Sequence, residues 1–192
     1  MPVRLDLFDN SDFWRGASLL TELVWTLSNA LLVGSFWPGS RWRVVVLRAF
    51  GARIGKGVVV KPYLKVKFPW RLRIGDYAWL GEHVWIDNLA QVDIGDHACV
   101  SQGAYLCTGS HDWRQKSFDL ITRPIILEDG AWVGAMARVA PGVRIGYGAV
   151  LTFGSVATND LPEMTICTGN PAIPLKHRRI QTDDSPIQIG SN

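Results

Sequence analysis

At 192 residues, with 47% hydrophobic and 19% charged side chains, the chain is long enough to bury a continuous core and too apolar to be disordered. Its net charge of +3, without a dense basic block or a nucleic-acid motif, argues against DNA or RNA as a partner. Cys99, Cys107 and Cys167 are an odd count without CxxC spacing, which argues against a disulfide framework or a zinc site and for a reducing compartment, the cytoplasm.

The opening MPVRLDLFDNSDFW carries acids before any apolar run and does not read as a secretory signal. Residues 17–37, ASLLTELVWTLSNALLVGSFW, then approach membrane-spanning length, interrupted by Glu22, Asn29 and several hydroxyl residues. Pro38 and Gly39 break the run, and RWRVVVLRAFG follows with Arg41, Arg43 and Arg48 among large apolar residues. Two helices are expected in an N-terminal unit, residues 1–50. Three readings stay open for it: a cap over whatever follows, an interfacial segment giving peripheral contact with the inner membrane face, and a true span.

From Ile54 the chain falls into hexads: IGKGVV, VKPYLK and VKFPWR, then IGDYAW, LGEHVW and IDNLAQ, then IGDHAC, VSQGAY and LCTGSH. A fourth set, LEDGAW, VGAMAR and VAPGVR, begins at Leu127 and runs into IGYGAV and LTFGSV. Each hexad opens with Ile, Leu or Val and usually carries a small or β-branched residue at its fifth position, among them Ala78, Val84, Ala90, Ala98, Ala104 and Ser110. A period of six fits neither an amphipathic helix nor an alternating strand. It fits a hexapeptide β-helix, whose stacked coils bury a column that one coil cannot cover. Ile54, Ile74 and Ile94 are spaced by 20 residues, a coil of 18 plus two, whereas Ile94 to Leu127 is 33. The surplus is a loop excursion over 112–126, and His111 stands at its mouth. The fold expected is all-β: a parallel β-helix over 51–168 with N-terminal helices, followed by a short C-terminal helix and tail over 169–192.

The phrases FGARIGKGV, PWRLRIGDYAWLGEHVWIDNL, SQGAYLCTGSHD, APGVRIG and TGNPA resemble the hexapeptide-repeat acyltransferases, most nearly the colanic-acid biosynthesis acetyltransferase branch. The likeness covers residues from about 50 to 180. It implies a left-handed β-helix, a homotrimer, acetyl-CoA as cosubstrate in a groove between subunits, and O-acetylation of a saccharide or lipid-linked saccharide in exopolysaccharide assembly. His111, in TGSH, matches the family's catalytic base. An imidazole, ordinarily near pKa ~6.5, is largely neutral in the cell and can take the proton of an attacking hydroxyl. Cys107 is the rival, as a covalent nucleophile; a free cysteine is more often a small buried hydrophobe.

Asp112, next to His111, is expected either to orient the imidazole or to contact the acceptor, with a solvated loop acid as the alternative, and Asn88 is a second expected acceptor contact. The family's acceptor-contacting asparagine aligns with Gly81, and Asn88 is the nearest substitute or else a turn residue. Coenzyme contacts are implied at Ala135, Phe153 and Thr158. Asn159 stands where many relatives have lysine, and Lys176 and Arg178, within KHRR, could meet a phosphate or be solvated. His83 and His97 raise a zinc reading, since a carbonic anhydrase class shares the fold. They fall on different sides of the prism, so no metal is expected. Two other readings remain: acylation of an amino sugar or small non-sugar alcohol, and a non-enzymatic scaffold.

Overall fold

The computed structural model describes residues 3–181. From Arg53 onward, short parallel strands stack into three faces. The first face holds Arg53–Ile54, Leu72–Ile74, Val92–Ile94, Ile125–Leu127 and Arg144–Ile145. The second holds Val59–Val60, Trp79–Leu80, Cys99–Val100, Trp132–Val133, Val150–Leu151 and Thr165–Gly169. The third holds Lys65–Val66, Trp85–Asp87, Tyr105–Cys107, Arg138–Val139 and Val156–Ala157. Together they make a left-handed β-solenoid of about six turns.

The hexad pattern explains the stacking. The opening positions Leu80, Ile86, Val100, Leu106, Leu127, Val133, Ile145 and Leu151 are fully or almost fully buried and form one column. Each such side chain contributes roughly 1.5–3 kcal/mol on leaving water. Each coil also donates backbone hydrogen bonds to the next, as from Trp79 N–H to Ala98 O at 2.9 Å and from Cys99 N–H to Ala131 O at 2.8 Å.

The three corners are not alike. The first–second and second–third corners are tight, and each needs a left-handed residue. Glycine fills several of these positions, while Tyr63, Tyr77, His83, His97 and Met136 adopt φ of 56° to 62° in the others. His83 stacks on Tyr63 with ring centroids 4.4 Å apart, and His97 on Tyr77 at 5.2 Å. The two histidines therefore occupy different corners, each against its own tyrosine.

The third–first corner is wide, and the extra residues of the 20-residue coils lie there. Hexad phase lapses at this corner: Ala90 is only half-buried and Ser110 is exposed. Asn88 and Thr108, both fully buried, brace the corner instead. Asn88 Oδ1 accepts from Phe68 N–H at 2.9 Å, and its Nδ2 donates to Phe68 O at 2.7 Å and Arg71 O at 2.9 Å. Thr108 Oγ1 accepts from Ala90 N–H at 2.9 Å and donates to Asp87 O at 3.0 Å.

Before the solenoid come α1 (Leu19–Ser28), a π-helical turn (Asn29–Val33) and α2 (Arg41–Ala49). Ser18 caps α1 by accepting from Thr21 N–H. α2 buries Val44 and Leu47 against the first coil. It also buries Arg43, whose guanidinium donates to the carbonyls of Val33, Ser35 and Trp37 at 2.6–3.0 Å. A buried cation is tolerable because those carbonyls replace its water. Trp25 anchors α1, its Nε1–H reaching Val66 O and Lys67 O. Among the described residues no helix is long and apolar enough to cross a membrane.

The expected C-terminal helix is corrected within the described residues. Ala172–His177 is a strand, antiparallel to Thr165–Gly169, with Lys176 opposite Ile166. The Gly169–Asn170–Pro171 turn folds the chain back so that this strand covers the open edge of the second face. Residues 182–192 lie outside the described residues.

Candidate active site

The long excursion is a β-hairpin. Gly109–His111 pairs antiparallel with Leu120–Thr122, and His111 forms the last rung, opposite Leu120. Beyond it the chain turns through 112–119 and returns to the first face at Ile125, slightly earlier than the hexads suggested.

At the hairpin tip Phe118 adopts φ 53°. Its carbonyl meets His111 Nδ1 at 2.8 Å, and its ring lies flat on the imidazole, centroids 4.4 Å apart and planes 4° apart. A carbonyl only accepts, so Nδ1 carries a proton, and in the neutral imidazole the lone pair is then on Nε2. The edge of the imidazole also meets Phe8, 5.4 Å away at 62°. A left-handed, non-glycine residue costs on the order of 1–2 kcal/mol and persists where the surroundings fix it.

Asp112 does not orient that imidazole. Its carboxylate accepts from Arg114 Nε at 2.9 Å and Arg114 N–H at 3.1 Å. Hydrogen bonding to Arg114 holds its carboxyl down at about 2, below the ordinary carboxylate range. Asn88 is corrected as an acceptor contact: its amide is fully buried and spent on the backbone at Phe68 and Arg71, and it is not left-handed either. Cys107 is half-buried, and its thiol donates to Gly109 O at 3.2 Å. No basic side chain bonds it among the described residues.

His111 stands in the wall between two cavities. One, of about 520 Å³, lies under the N-terminal segment and is lined by Phe8, Phe13, Glu22, Trp25, Lys67 and Leu120 among others. It continues along the third face into a second hollow of about 470 Å³ that shares Trp25, Thr26 and Lys67. The other, of about 340 Å³, faces the loop and is lined by Asp112, Arg114, Arg123 and Pro141. A larger concavity of about 650 Å³ runs along the outside of the first face, away from His111.

The N-terminal contribution was not legible in the sequence. Glu22 was visible there only as an acid breaking an apolar run. Folded, its Oε2 pairs with Arg15 Nη1 at 2.9 Å, while Oε1 is buried without a hydrogen-bond partner among the described residues.

Ala135 and Phe153 stack in the second–third corner, with Gly154 N–H donating to Ala135 O at 2.9 Å. The N–H groups of Ala135 and Phe153 find no acceptor among the described residues. The first–second corner differs: there the N–H groups of Lys56, Asp76 and Asp96 are each taken by an aspartate of the next coil. Thr158 is exposed at the third–first corner of the last coil, beside Asn159. Lys176 and Arg178 are not brought to His111 within one chain. Lys176 is exposed on the strand that ends the second face, and Arg178 Nη1 donates to Gly130 O and Gly148 O at 3.0 and 2.8 Å. Those carbonyls belong to the first–second corner, across the prism from the third face. Arg178 is thus a tie between hairpin and solenoid.

No protein-family profile matches the chain. Among known proteins it is 40% identical over 166 residues to WcaF of Escherichia coli (strain K12), named as a colanic acid biosynthesis acetyltransferase, covering 86% of this chain and 91% of that protein. The hexapeptide-repeat acetyltransferase VCA0836 of Vibrio cholerae, solved with acetyl coenzyme A, superposes with TM-score 0.74 at 27% identity, over 86% of this chain and 92% of that one. A galactoside acetyltransferase solved with coenzyme A shares the fold, with TM-score 0.75 at 20% identity over 88% of each chain. A buried hexad column and a histidine-bearing hairpin at the widened corner thus accompany a 40% likeness over most of both chains, and this protein belongs to the hexapeptide-repeat acetyltransferases, in the family of the colanic acid acetyltransferase WcaF.

Proposed function

We propose that this acetyltransferase moves an acetyl group from acetyl-CoA to a hydroxyl of a saccharide, free or lipid-linked, in exopolysaccharide assembly, with His111 as general base. The observation that carries this reading is the hydrogen bond between His111 Nδ1 and the carbonyl of Phe118. The Nδ1–H is committed to Phe118 O, so Nε2 is the nitrogen free to take a proton, in a wall shared by two cavities.

The cosubstrate supplies an already activated thioester. The protein's work is to bring a hydroxyl beside it and move one proton. Nε2 accepts that proton as the hydroxyl oxygen bonds to the acetyl carbon, and returns it to the departing sulfur. No acyl-enzyme is required, and the Cys107 thiol is engaged with the carbonyl of Gly109. General-base catalysis contributes about 10² to 10⁴-fold, and orientation supplies more.

The aromatic-lined cavity suits the acceptor. Phe8, Phe13 and Trp25 line it with apolar surface for the C–H side of a sugar ring, and Glu22, in the same wall, carries a buried carboxylate oxygen without a hydrogen-bond partner among the described residues. The free N–H groups of Ala135 and Phe153 fit the amide carbonyls of a coenzyme arm, with Thr158 further along and Arg114 and Arg123 beside the smaller cavity. Lys176 fits a coenzyme phosphate only if a neighbouring subunit presents it. The half-exposed Trp79, Trp85 and Trp132 on the second and third faces suit contact with further copies, in a homotrimer. The free cysteines are consistent with the cytoplasm.

His111→Ala tests the reading through thiol release from acetyl-CoA over a panel of saccharide acceptors. A loss of roughly 10² to 10⁴-fold with an unchanged melting temperature is expected. Near-normal turnover would remove the base assignment, and turnover only with amino sugars would move the reading to N-acylation.

A further inference from the structure

Helix α1 turns its apolar side outward. Leu20, Leu23 and Leu27 are between 54% and 69% exposed, and their three- and four-residue spacing sets them on one stripe, which Leu31, 68% exposed, follows in the π-helical turn. Among the described residues nothing covers that stripe. Exposed Trp14 precedes it and exposed Phe36 and Trp37 follow it. A contiguous apolar surface of this kind marks an interaction site rather than a solvated face. The inner side of the same helix supplies Glu22, Trp25 and Thr26 to the cavity at His111.

Charge identifies what covers the stripe. Residues 17–67 carry eight lysines and arginines against one acid, Glu22, whereas the other 141 residues carry twelve basic and sixteen acidic side chains. The positive excess therefore lies in the helices and the first coil, at the end of the molecule that holds α1. Arg43 is spent on buried carbonyls, but Arg41, Arg48, Arg53 and Lys65 are exposed. A second copy meeting this end face to face would set like charge against like. An anionic bilayer surface complements both features: leucines enter the acyl boundary, tryptophans sit at headgroup level, and cations meet lipid phosphates.

We propose that α1 lies in the headgroup layer of an anionic bilayer, leucine stripe inward, so that the cavity beside His111 is held at the lipid surface. The helix is ten residues long, too short to span, so the association is peripheral. The docking does not depend on the assignment of His111.

The test is flotation of the full chain with vesicles of phosphatidylglycerol and phosphatidylethanolamine, beside vesicles of phosphatidylcholine alone. The protein is expected to float with the anionic vesicles, more weakly as salt rises, and poorly with the neutral ones. A Leu23→Asp, Leu27→Asp variant should lose more than tenfold in vesicle affinity at an unchanged melting temperature, because both side chains are already exposed. Wild-type protein that stays with the pellet, or a double variant that floats as well as wild type, overturns the proposal. So does a double variant that changes molar mass in solution by light scattering, since the stripe would then be a contact between copies. His111→Ala should float like wild type, so failure of the catalytic reading and failure of the docking are separate results.

Discussion

The imidazole of His111 lies flat against the ring of Phe118 and gives its Nδ1 proton to the carbonyl of that same residue, 2.8 Å away. One residue thus fixes both the tilt of the base and its tautomer. Phe118→Ala removes the stacking surface and leaves the carbonyl on a looser tip. The expected result is a kcat about tenfold lower with the KM for acetyl-CoA within twofold of wild type, since misorientation acts on the transition state more than on binding. Steady-state kinetics at saturating acceptor separates these from a general loss of folded protein.

Backbone donors at the second–third corner can be removed one at a time. Ala135 occupies the same corner position as Pro62 of the first coil, so proline is compatible with the backbone there, and the Ala135 N–H has no acceptor to lose among the described residues. Ala135→Pro should fold with stability equal to or slightly above wild type. If that N–H meets the coenzyme, the KM for acetyl-CoA should rise about five- to tenfold, the worth of one hydrogen bond. An unchanged KM would take Ala135 out of the coenzyme site.

Asn88 should behave as a brace. Asn88→Ala strands the Phe68 N–H and two carbonyls in a buried corner, at a cost of roughly 2–4 kcal/mol. Thermal denaturation should register that loss. The KM for any saccharide acceptor should stay within twofold in the protein that remains folded; a selective rise in acceptor KM at normal stability would restore Asn88 to the binding site.

Glu22→Gln keeps the shape of the cavity wall while removing its charge. If Glu22 receives sugar hydroxyls, the acceptor KM should rise about fivefold, because hydrogen bonds to an ionised acceptor are roughly twice as strong as neutral ones. The KM for acetyl-CoA should not move. A parallel rise in both constants would indicate a change in the helix rather than in the acceptor subsite.

Much of the fold was legible because each coil repeats one local requirement. A branched residue fills the column and a small residue lies beside a tight corner, so Ile74, Leu80 and Ile86 announce their burial by spacing alone. The pattern lapsed where the corner widens, at Ala90 and Ser110, since extra residues remove the steric demand that makes the period visible. The tail was misread for a related reason. Ala172–His177 has no helical or strand signature of its own and becomes a strand because the last edge of the second face needs a cover.

By itself, the sequence determined the solenoid, its interruption and the histidine at the break, because a repeat writes its contacts into neighbouring residues. Only the tertiary structure decided which nitrogen of His111 is free, that Asn88 is a brace, that Arg178 ties the hairpin, and that α1 reaches the cavity with Glu22 while turning its leucines out. Each of these depends on groups far apart in the chain or on the direction of one side chain. No local period encodes that information; packing settles it.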